Sequence, residues 1–440
     1  MFRWREKSAG GIAPDERLPW GATAILGVQH VLAMFGATVV VPLVMGFDPT
    51  LAIFFSGVGT LLFFLVTGGR VPSYLGSSFA FLLPVAAVAG SPGAGTLDAA
   101  AIPAALGGIV AAGALYAAVG FLVHWSGSGW IEALMPPLVT GAVVIIIGLN
   151  LAGAARGLAA ASPALALITV LSILGFALLT RGMIARLPIV LGALVGTGAA
   201  LAAGGTTAAG RSYGPILIQG VNLASVAEAP WIGWPNFVTP RVEMRAITLL
   251  LPVVLVLLAE NAGHLKAVEA MTGRRMMPFL GRAYIGDGLA TMVAGAGGGT
   301  GVTTYAENIG VMAMTRVYST IVFVIAAAVA IVLGLSPKFG ALVGAIPTGV
   351  IGGVVTVLFG LIAITGARIW VANRVDFTRS VNLFIAAVVI IVGTADYTLR
   401  LGDIELAGIG LGTFGAILLY RIFRGADDGD PADGERAADG

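Results

Sequence analysis

Three ionisable residues lie in stretches that are otherwise apolar. Glu260 and His264 occur in LLAENAGHLKA, and Glu307 occurs in TTYAENIGVMAMTR. Glu260 and His264 are four residues apart, so on a helix they share one face and can interact. Ionisable side chains within a membrane-spanning segment are costly and mark function by default. A purely structural Glu260–His264 pair is the alternative interpretation, but such a pair needs no third acid.

Two carboxylates beside exposed backbone suit a particular ligand chemistry. An ionised carboxylate accepts hydrogen bonds and cannot donate them, so Glu260 and Glu307 match the ring N–H groups of a neutral heterocycle such as uracil. Backbone N–H groups at Phe79 or Ala306, freed where a helix is broken, would meet the carbonyl oxygens of the heterocycle. Because apolar surroundings disfavour the charged form of a carboxylate, these acids could also carry a proton.

The remaining polar residues favour neither a metal nor a cofactor. Two Glu and one His make a poor cage for a hard cation, and the chain has no cysteine, which excludes thiolate sites. His30, in VQHVLAMFG, is interpreted as a packed residue near the start of a span, with a functional role as the alternative. His124, in HWSGSGW, is expected in a loop. We therefore expect no metal and no cofactor.

The composition places these residues in a membrane protein. The chain has 440 residues, of which 58% are hydrophobic and 10% are charged, whereas a soluble domain carries about a quarter charged residues. The net charge of +2 is better explained by basic cytoplasmic loops than by binding to nucleic acid. Uncharged runs recur at lengths that suit transmembrane helices, which need roughly 20 apolar residues. The sequence thus predicts an all-α polytopic membrane protein.

About fourteen transmembrane segments are predicted from these runs. They lie near 21–45, 51–69, 74–90, 101–123, 132–152, 163–180, 186–204, 245–266, 279–297, 302–313, 317–335, 341–366, 378–394 and 404–423. The Lys and Arg residues concentrate in loops on one side, which predicts that both termini are cytoplasmic and that the protein lies in the plasma (inner) membrane. The predicted domains are an N-terminal segment (1–20), a first repeat (21–204), an extracellular or periplasmic loop (205–244), a second repeat (245–424) and a disordered acidic tail (425–440).

The two halves of the chain contain similar interrupted segments. PSYLGSSFAF (72–81) and TTYAENIGVM (303–312) both place a Tyr after Ser or Thr in an apolar course, and PPLVTGAVV (136–144) aligns with IPTGVIGGVV (346–355). Because seven is an odd number, seven spans in each half would place the second repeat across the membrane in the opposite orientation to the first. Paired short, Gly-interrupted segments are the best sequence pointer to the binding site of a transporter, so the third and tenth spans are the expected site.

Several stretches resemble the nucleobase–ascorbate transporter family (nucleobase:cation symporter 2), in particular its bacterial uracil permeases. The matching stretches are QHVLAMFGATVVVPL (29–43), SYLGSSFAF (73–81), AENAGH (259–264) and TTYAENIGVMAMTRVYS (303–319). The resemblance implies fourteen spans in two inverted seven-span repeats, divided into a core and a gate domain. It also implies that the third and tenth spans each combine a short β-strand with a half-helix, and that a homodimer can form.

The resemblance also implies roles for particular residues. Glu260 and Glu307 would hold the base through their carboxylates, and His264 would hydrogen-bond near Glu260. Coupling to protons through Glu260, His264 and Glu307 is expected instead from the apolar surroundings of the acids. Backbone contacts would come from Phe79 and Ala306, while Ala37 would line the pocket and Tyr305 would lie beside it. Two positions depart from the uracil permeases: Ala306 stands where Gly is usual, and Phe359 stands where a Tyr is known.

These observations predict a transporter rather than an enzyme, namely a proton-coupled uracil permease that works by alternating access. A xanthine or other purine permease is the alternative within the family. An anion exchanger of the same architecture is disfavoured because two acids would repel an anion. A membrane-embedded hydrolase lacks a nucleophile constellation. The expected partners are a nucleobase, protons and the lipid bilayer, and coupling to sodium stays open.

Overall fold

The computed structural model describes residues 3–8, 10–90, 96–182, 184–207, 209–213, 216–401 and 404–424. Apolar, Ala- and Leu-rich stretches form most of it as helices. In chain order these are α1 (Trp20–Met45), α2 (Pro49–Val66), α3 (Leu82–Ala89), α4 (Ile102–Ser126), α5 (Gly129–Leu134), α6 (Pro137–Asn150), α7 (Ala152–Ala160), α8 (Pro163–Leu179), α9 (Pro188–Ala199), α10 (Leu223–Glu228), α11 (Met244–Leu250), α12 (Val253–Thr272), α13 (Leu280–Gly297), α14 (Ala306–Thr315), α15 (Thr320–Gly334), α16 (Pro337–Gly344), α17 (Thr348–Ala372), α18 (Ser380–Thr394) and α19 (Gly408–Phe423). The tail predicted to be disordered, residues 425–440, lies outside the described residues.

Short strands form pairs between the helices. They are β1 (Arg5–Glu6), β2 (Glu16–Arg17), β3 (Leu75–Ser77), β4 (Arg211–Tyr213), β5 (Ile216–Ile218), β6 (Val302–Thr304), β7 (Thr398–Leu401) and β8 (Ile404–Ala407). β1 pairs with β2 in parallel, and three antiparallel pairs join β3 to β6, β4 to β5 and β7 to β8. Three of these pairs are local in the chain, whereas β3 and β6 come from opposite halves.

The chain is a multi-pass membrane protein. Within the described residues, six helical segments are long and apolar enough to cross a bilayer: Trp20–Met45, Pro49–Val66, Ala99–Ser126, Pro137–Ala160, Met244–Thr272 and Thr348–Ala372. α15 and α16, bent by 83° at their junction, would make a seventh. Each of the fourteen predicted segments overlaps a helix, but fourteen crossings in two inverted repeats stay a prediction.

Prolines move several helix boundaries away from the predicted ones. The segment predicted at 245–266 is divided into α11 and α12 just before Val253, where Pro252 lacks an N–H group and its ring obstructs the preceding turn. The segment predicted at 341–366 begins later, because the chain before Pro347 forms the separate helix α16 and α17 starts at Thr348. Apolar character alone did not reveal these breaks.

The described residues form two compact units by their contacts. One unit contains residues up to Ser128 together with Leu151–Phe359, and the other contains Gly129–Asn150 together with the residues from Gly360 onward. In the second unit the Trp370 indole N–H donates to the Leu138 carbonyl at 2.9 Å. Every candidate site residue named above belongs to the first unit.

Candidate binding site at the crossing of two broken helices

β3 and β6 form the centre of the candidate site. Leu75 is paired with Thr304 and Ser77 with Val302, and all six residues of the two strands are buried. Each strand leads into a helix: a 3-10 turn (Phe79–Phe81) continues into α3, and α14 begins at Ala306. The third and tenth predicted segments are therefore each a strand followed by a short helix, as the resemblance implied.

Tyr305 fixes the geometry of this crossing. Its hydroxyl donates to the Ser77 carbonyl at 2.8 Å and accepts a hydrogen bond from the Thr38 hydroxyl at 3.1 Å. Its ring packs against Gly76, where an added Cβ would lie 2.5 Å from ring carbons. Tyr305 is buried and ties α1, β3 and the start of α14 together.

The helices α3 and α14 point their amino ends toward the crossing. The first N–H groups of a helix have no partner within it, and together they carry a partial positive charge. The Ser78 hydroxyl accepts from the Ala80 N–H at 3.3 Å, whereas Tyr305 gives α14 no side-chain cap. Phe79 and Ala306 are the first residues of their helical segments, and Ala306 is exposed. Backbone donors at both positions can thus serve an acceptor on a bound molecule.

Glu260 and Glu307 flank this crossing from α12 and α14. The two helices are in contact. Both side chains are half-buried. Among the described residues, neither carboxylate has a side-chain hydrogen-bond partner. Glu307 lies in the first turn of α14, where the partial positive charge of the helix end favours a negative side chain. Two acceptors are therefore held near two helix starts.

His264 bonds to the strand rather than to Glu260. Its Nδ1 lies 2.8 Å from the Thr304 hydroxyl on β6. The described residues contain no hydrogen bond between Glu260 and His264, although the two share a face of α12. Glu260 and His264 therefore do not form the structural pair that was the alternative interpretation. His264 instead joins α12 to β6.

The remaining predicted residues surround the crossing. The ring of Phe79 packs edge-on against Phe359, with 5.7 Å between the centroids, so Phe359 supplies an apolar wall. Ala37 is buried on α1, next in sequence to Thr38. His30 is also buried on α1, where its Nδ1 lies 2.9 Å from the Asn308 amide nitrogen. His30 is thus packed against α14.

A buried polar cluster next to Glu260 was missed by the sequence reasoning. Asp287 on α13 is fully buried and accepts hydrogen bonds from the Asn261 amide and, at 3.4 Å, from the Tyr116 hydroxyl. The Asn261 amide also donates to the Tyr116 hydroxyl at 3.1 Å. The sequence did contain a signal for this cluster. Asp287 is an acid within the predicted span 279–297, and an ionisable residue inside a membrane span marks function by default. Asn261 is adjacent to Glu260, so this cluster fixes α12 at the candidate site.

Within the described residues, no group of three or more His, Asp or Glu side chains is arranged to hold a metal ion. The arrangement instead offers two carboxylate acceptors, backbone donors at two helix starts and aromatic walls. Such a set can bind a small polar molecule.

Two solved structures of transporters have a fold similar to this chain. The transmembrane domain of a cyanobacterium bicarbonate transporter, BicA, aligns with a TM-score of 0.61 at 15% identity, over 90% of this chain and 96% of that one. The murine Solute Carrier 26 family member A9 anion transporter, in its inward-facing state, aligns with a TM-score of 0.64 at 10% identity, over 92% of this chain and 68% of that one. At these identities the likeness concerns the fold alone.

The chain belongs to the permease family, whose model matches residues 21–401. It is 54% identical over 426 residues to an Escherichia coli (strain K12) protein named "Putative pyrimidine permease RutG", covering 95% of this chain and 94% of that protein. It is 40% identical over 431 residues to the uracil permease of Bacillus caldolyticus, covering 93% and 94%. The predicted family resemblance is confirmed.

Proposed function

We propose that this protein is a proton-coupled permease that takes up uracil or a closely related pyrimidine base. The observation that carries the proposal is the pair of half-buried carboxylates, Glu260 and Glu307, which have no side-chain partner among the described residues and lie beside two helix starts. A free pair of acceptors next to free donors suits a neutral ring with N–H and C=O groups. The names of the relatives, uracil and pyrimidine permeases, support the same substrate class.

Each residue has a distinct role in this proposal. Glu260 and Glu307 accept hydrogen bonds from the ring N–H groups, and backbone N–H groups at Phe79 and Ala306 donate to the ring carbonyls. Charge-assisted hydrogen bonds are roughly twice as strong as neutral ones, so the two acids dominate affinity. Phe79, packed edge-on against Phe359, closes the site with apolar surface.

Three further residues act around the bound base. Ala37 lines the pocket from α1, and Tyr305 keeps the strand pair in register beside it. His264, fixed to Thr304 at 2.8 Å, tunes the proton on Glu260. Glu260, His264 and Glu307 together couple the movement of the base to that of a proton, since a carboxylate in apolar surroundings gains from being protonated.

Transport proceeds by alternating access of a core against a gate domain, a common property of transporters built from repeats with broken helices. In this proposal fourteen spans form two inverted repeats, 21–204 and 245–424, joined by the loop 205–244. The protein lies in the plasma (inner) membrane, and its two terminal segments, 1–20 and 425–440, lie in the cytoplasm. A homodimer is the proposed assembly.

The likeness to anion transporters does not extend to their substrates in this proposal. An anion entering the site would meet Glu260 and Glu307, and the repulsion of like charges in a poorly hydrated site is large. A neutral base avoids this cost. A xanthine or purine permease is the remaining alternative, and a competition assay separates the two.

The direct test is binding of labelled uracil to purified Glu260→Gln protein. A Gln amide replaces one carboxylate oxygen with an NH2 donor that opposes the ring N–H group, and the charge-assisted bond is lost. Affinity should fall by at least about ten-fold, because hydrogen bonds to charged groups contribute about 1.5–3 kcal/mol. Glu228→Gln, at an exposed position without a described partner, is the matched control and should bind normally. Unchanged binding by Glu260→Gln would remove Glu260 from the site, and stronger competition by xanthine than by uracil would favour the purine alternative.

A further inference from the structure

A cavity of about 450 Å³ lies where the N-terminal segment meets two loops. Its walls come from the N-terminal segment, from the loop after α2 and from the loop between α12 and α13. Four arginines line it, Arg3, Arg70, Arg274 and Arg275, together with a single acid, Asp15. None of the residues of the candidate transport site belongs to these walls.

The single acid offsets only part of this positive charge. Asp15 pairs with Arg274 at 2.7 Å and with Arg5 at 3.4 Å. Although burial opposes it, hydrogen bonding within the backbone of Asp15 and the nearby charge of Arg274 hold the pKa of the Asp15 carboxyl below its usual value. Asp15 therefore stays ionised and its pairing with Arg274 is kept.

Three guanidinium groups in the cavity lack an acidic partner. Among the described residues, Arg3, Arg70 and Arg275 form no salt bridge. Glu269, near Arg275, forms no salt bridge with it among the described residues, and one of its carboxylate oxygens, Oε2, accepts from the backbone N–H groups of Met276 and Met277 at 2.6 and 3.0 Å. The cavity thus gathers unpaired positive charge on one side of the molecule, and that charge is available to a ligand.

The walls are held in place before any ligand binds. The Ile12 N–H donates to the Arg316 carbonyl at 2.9 Å, and the Trp4 indole N–H donates to the Thr320 hydroxyl at 2.9 Å, so the N-terminal segment is anchored at two points to the stretch between α14 and α15. The Arg70 guanidinium packs over the Phe279 ring, 5.7 Å from its centroid. Pre-organised side chains lose less entropy when a ligand binds.

Backbone N–H groups in this cavity have little capacity to bind a ligand, so the side chains determine which ligand can bind. The N–H groups of Gly68 and Gly69 donate to the carbonyls of Leu65 and Phe64, at 3.1 and 2.8 Å, and close the end of α2. Guanidinium groups bind phosphate through paired N–H donors in a matching fork geometry. The volume of the cavity exceeds that of a simple ion and falls within the range of small-ligand pockets.

We propose that this arginine-lined cavity binds a phosphate-bearing anion. Such a ligand would bridge the N-terminal segment, the loop after α2 and the loop that leads from α12, the helix of Glu260, to α13, the helix of Asp287. Two sources share the required chemistry: a soluble phosphate compound and the headgroup of an anionic phospholipid. The three arginines without acidic partners would hold the phosphate oxygens in either case.

The test compares a charge-neutralised variant with a matched control in the full-length protein. Arg70→Gln/Arg275→Gln removes two lining guanidinium groups and preserves side-chain length. Arg156→Gln/Arg245→Gln neutralises two exposed arginines outside the cavity. Calorimetric titrations in detergent use pyrophosphate and inorganic phosphate. Thermal unfolding is then measured in nanodiscs of phosphatidylcholine, with and without phosphatidylglycerol.

The wild type and the control should bind at least one of these probes saturably, and added salt should weaken the binding. The cavity variant should lose at least about ten-fold in affinity, since charge-assisted contacts are removed. Binding of pyrophosphate or phosphate identifies a soluble ligand, and stabilisation only by phosphatidylglycerol identifies a lipid headgroup. Equal affinity of the cavity variant and the control for every probe, or no saturable binding by the wild type, overturns the proposal. Circular dichroism checks folding, and Arg275→Gln alone, at an exposed position, serves if the double variant does not fold.

Discussion

Gly76→Ala should disrupt the candidate site without touching either carboxylate. In β3, a Cβ on Gly76 would lie 2.5 Å from two ring carbons of Tyr305 and 2.7 Å from the Thr38 hydroxyl oxygen. Carbon atoms in good contact are about 3.5–4.0 Å apart, so a gap of about an ångström must be opened. Tyr305, Thr38 and Ser77 are all buried, so the ring has little room to move.

The expected free-energy cost of Gly76→Ala depends on whether Tyr305 stays in place or moves. Overpacking a well-packed interior costs about 1–3 kcal/mol. If Tyr305 rotates away instead, its hydroxyl loses the bonds to Ser77 and Thr38, each worth about 1 kcal/mol. In both cases the β3–β6 pair shifts, and Phe79 and Ala306 shift with it. Because about 1.4 kcal/mol corresponds to ten-fold in affinity, binding of uracil should weaken by about ten-fold or more.

The assay is equilibrium binding of labelled uracil to purified protein, together with thermal unfolding. Gly175→Ala is the matched control, because an added Cβ there meets no atom within 4 Å and alanine is favoured inside a helix such as α8. The control should bind uracil like the wild type. If Gly76→Ala also bound uracil with wild-type affinity and unfolded at the wild-type temperature, the crossing would not position the site as argued.

Further predictions concern the residues around the two glutamates and the topology. His264→Ala removes the bond to Thr304 and should impair uptake more than binding in paired measurements; an equal loss of both would make His264 a direct ligand or a structural support. Asp287→Ala should lower the thermal unfolding temperature more than Asp287→Asn, because alanine removes the buried acceptor of the Asn261 amide and leaves that amide only the Tyr116 hydroxyl at 3.1 Å, and a lost hydrogen bond costs about 0.5–1.5 kcal/mol; equal unfolding temperatures would contradict this. A reporter enzyme fused to the C-terminus should be active in the cytoplasm, and activity outside the cell would contradict both the even span count and the inverted repeats.

The helical membrane fold could be predicted because its cause is local. A long uncharged run indicates a transmembrane helix whatever the rest of the chain does. The predicted segments accordingly fall on helices throughout the described residues. The interruptions in the third and tenth segments were also visible, through Gly, Ser and Thr in apolar surroundings. The register of Leu75 with Thr304 was not visible in these residues, since the two strands are far apart in sequence and meet only in the folded chain.

The candidate site could be predicted only in part, for a similar reason. Glu260 and Glu307 stood out as acids in apolar segments, but their freedom from side-chain partners became apparent only once the positions of all helices were known. The resemblance implied that His264 would hydrogen-bond near Glu260, and in the structure its bond goes to Thr304, on a strand distant in sequence. Asp287 had a signal in its own sequence that was overlooked.

The central claim is that Glu260 and Glu307 couple uptake of a base to protons. The most direct measurement is uptake of labelled uracil by proteoliposomes under an imposed proton gradient or an imposed sodium gradient. Uptake should rise as the external pH falls from neutral toward acid, because the proton is a co-substrate. It should collapse with a protonophore and ignore the replacement of sodium. Uptake that follows the sodium gradient and is insensitive to pH would contradict the account.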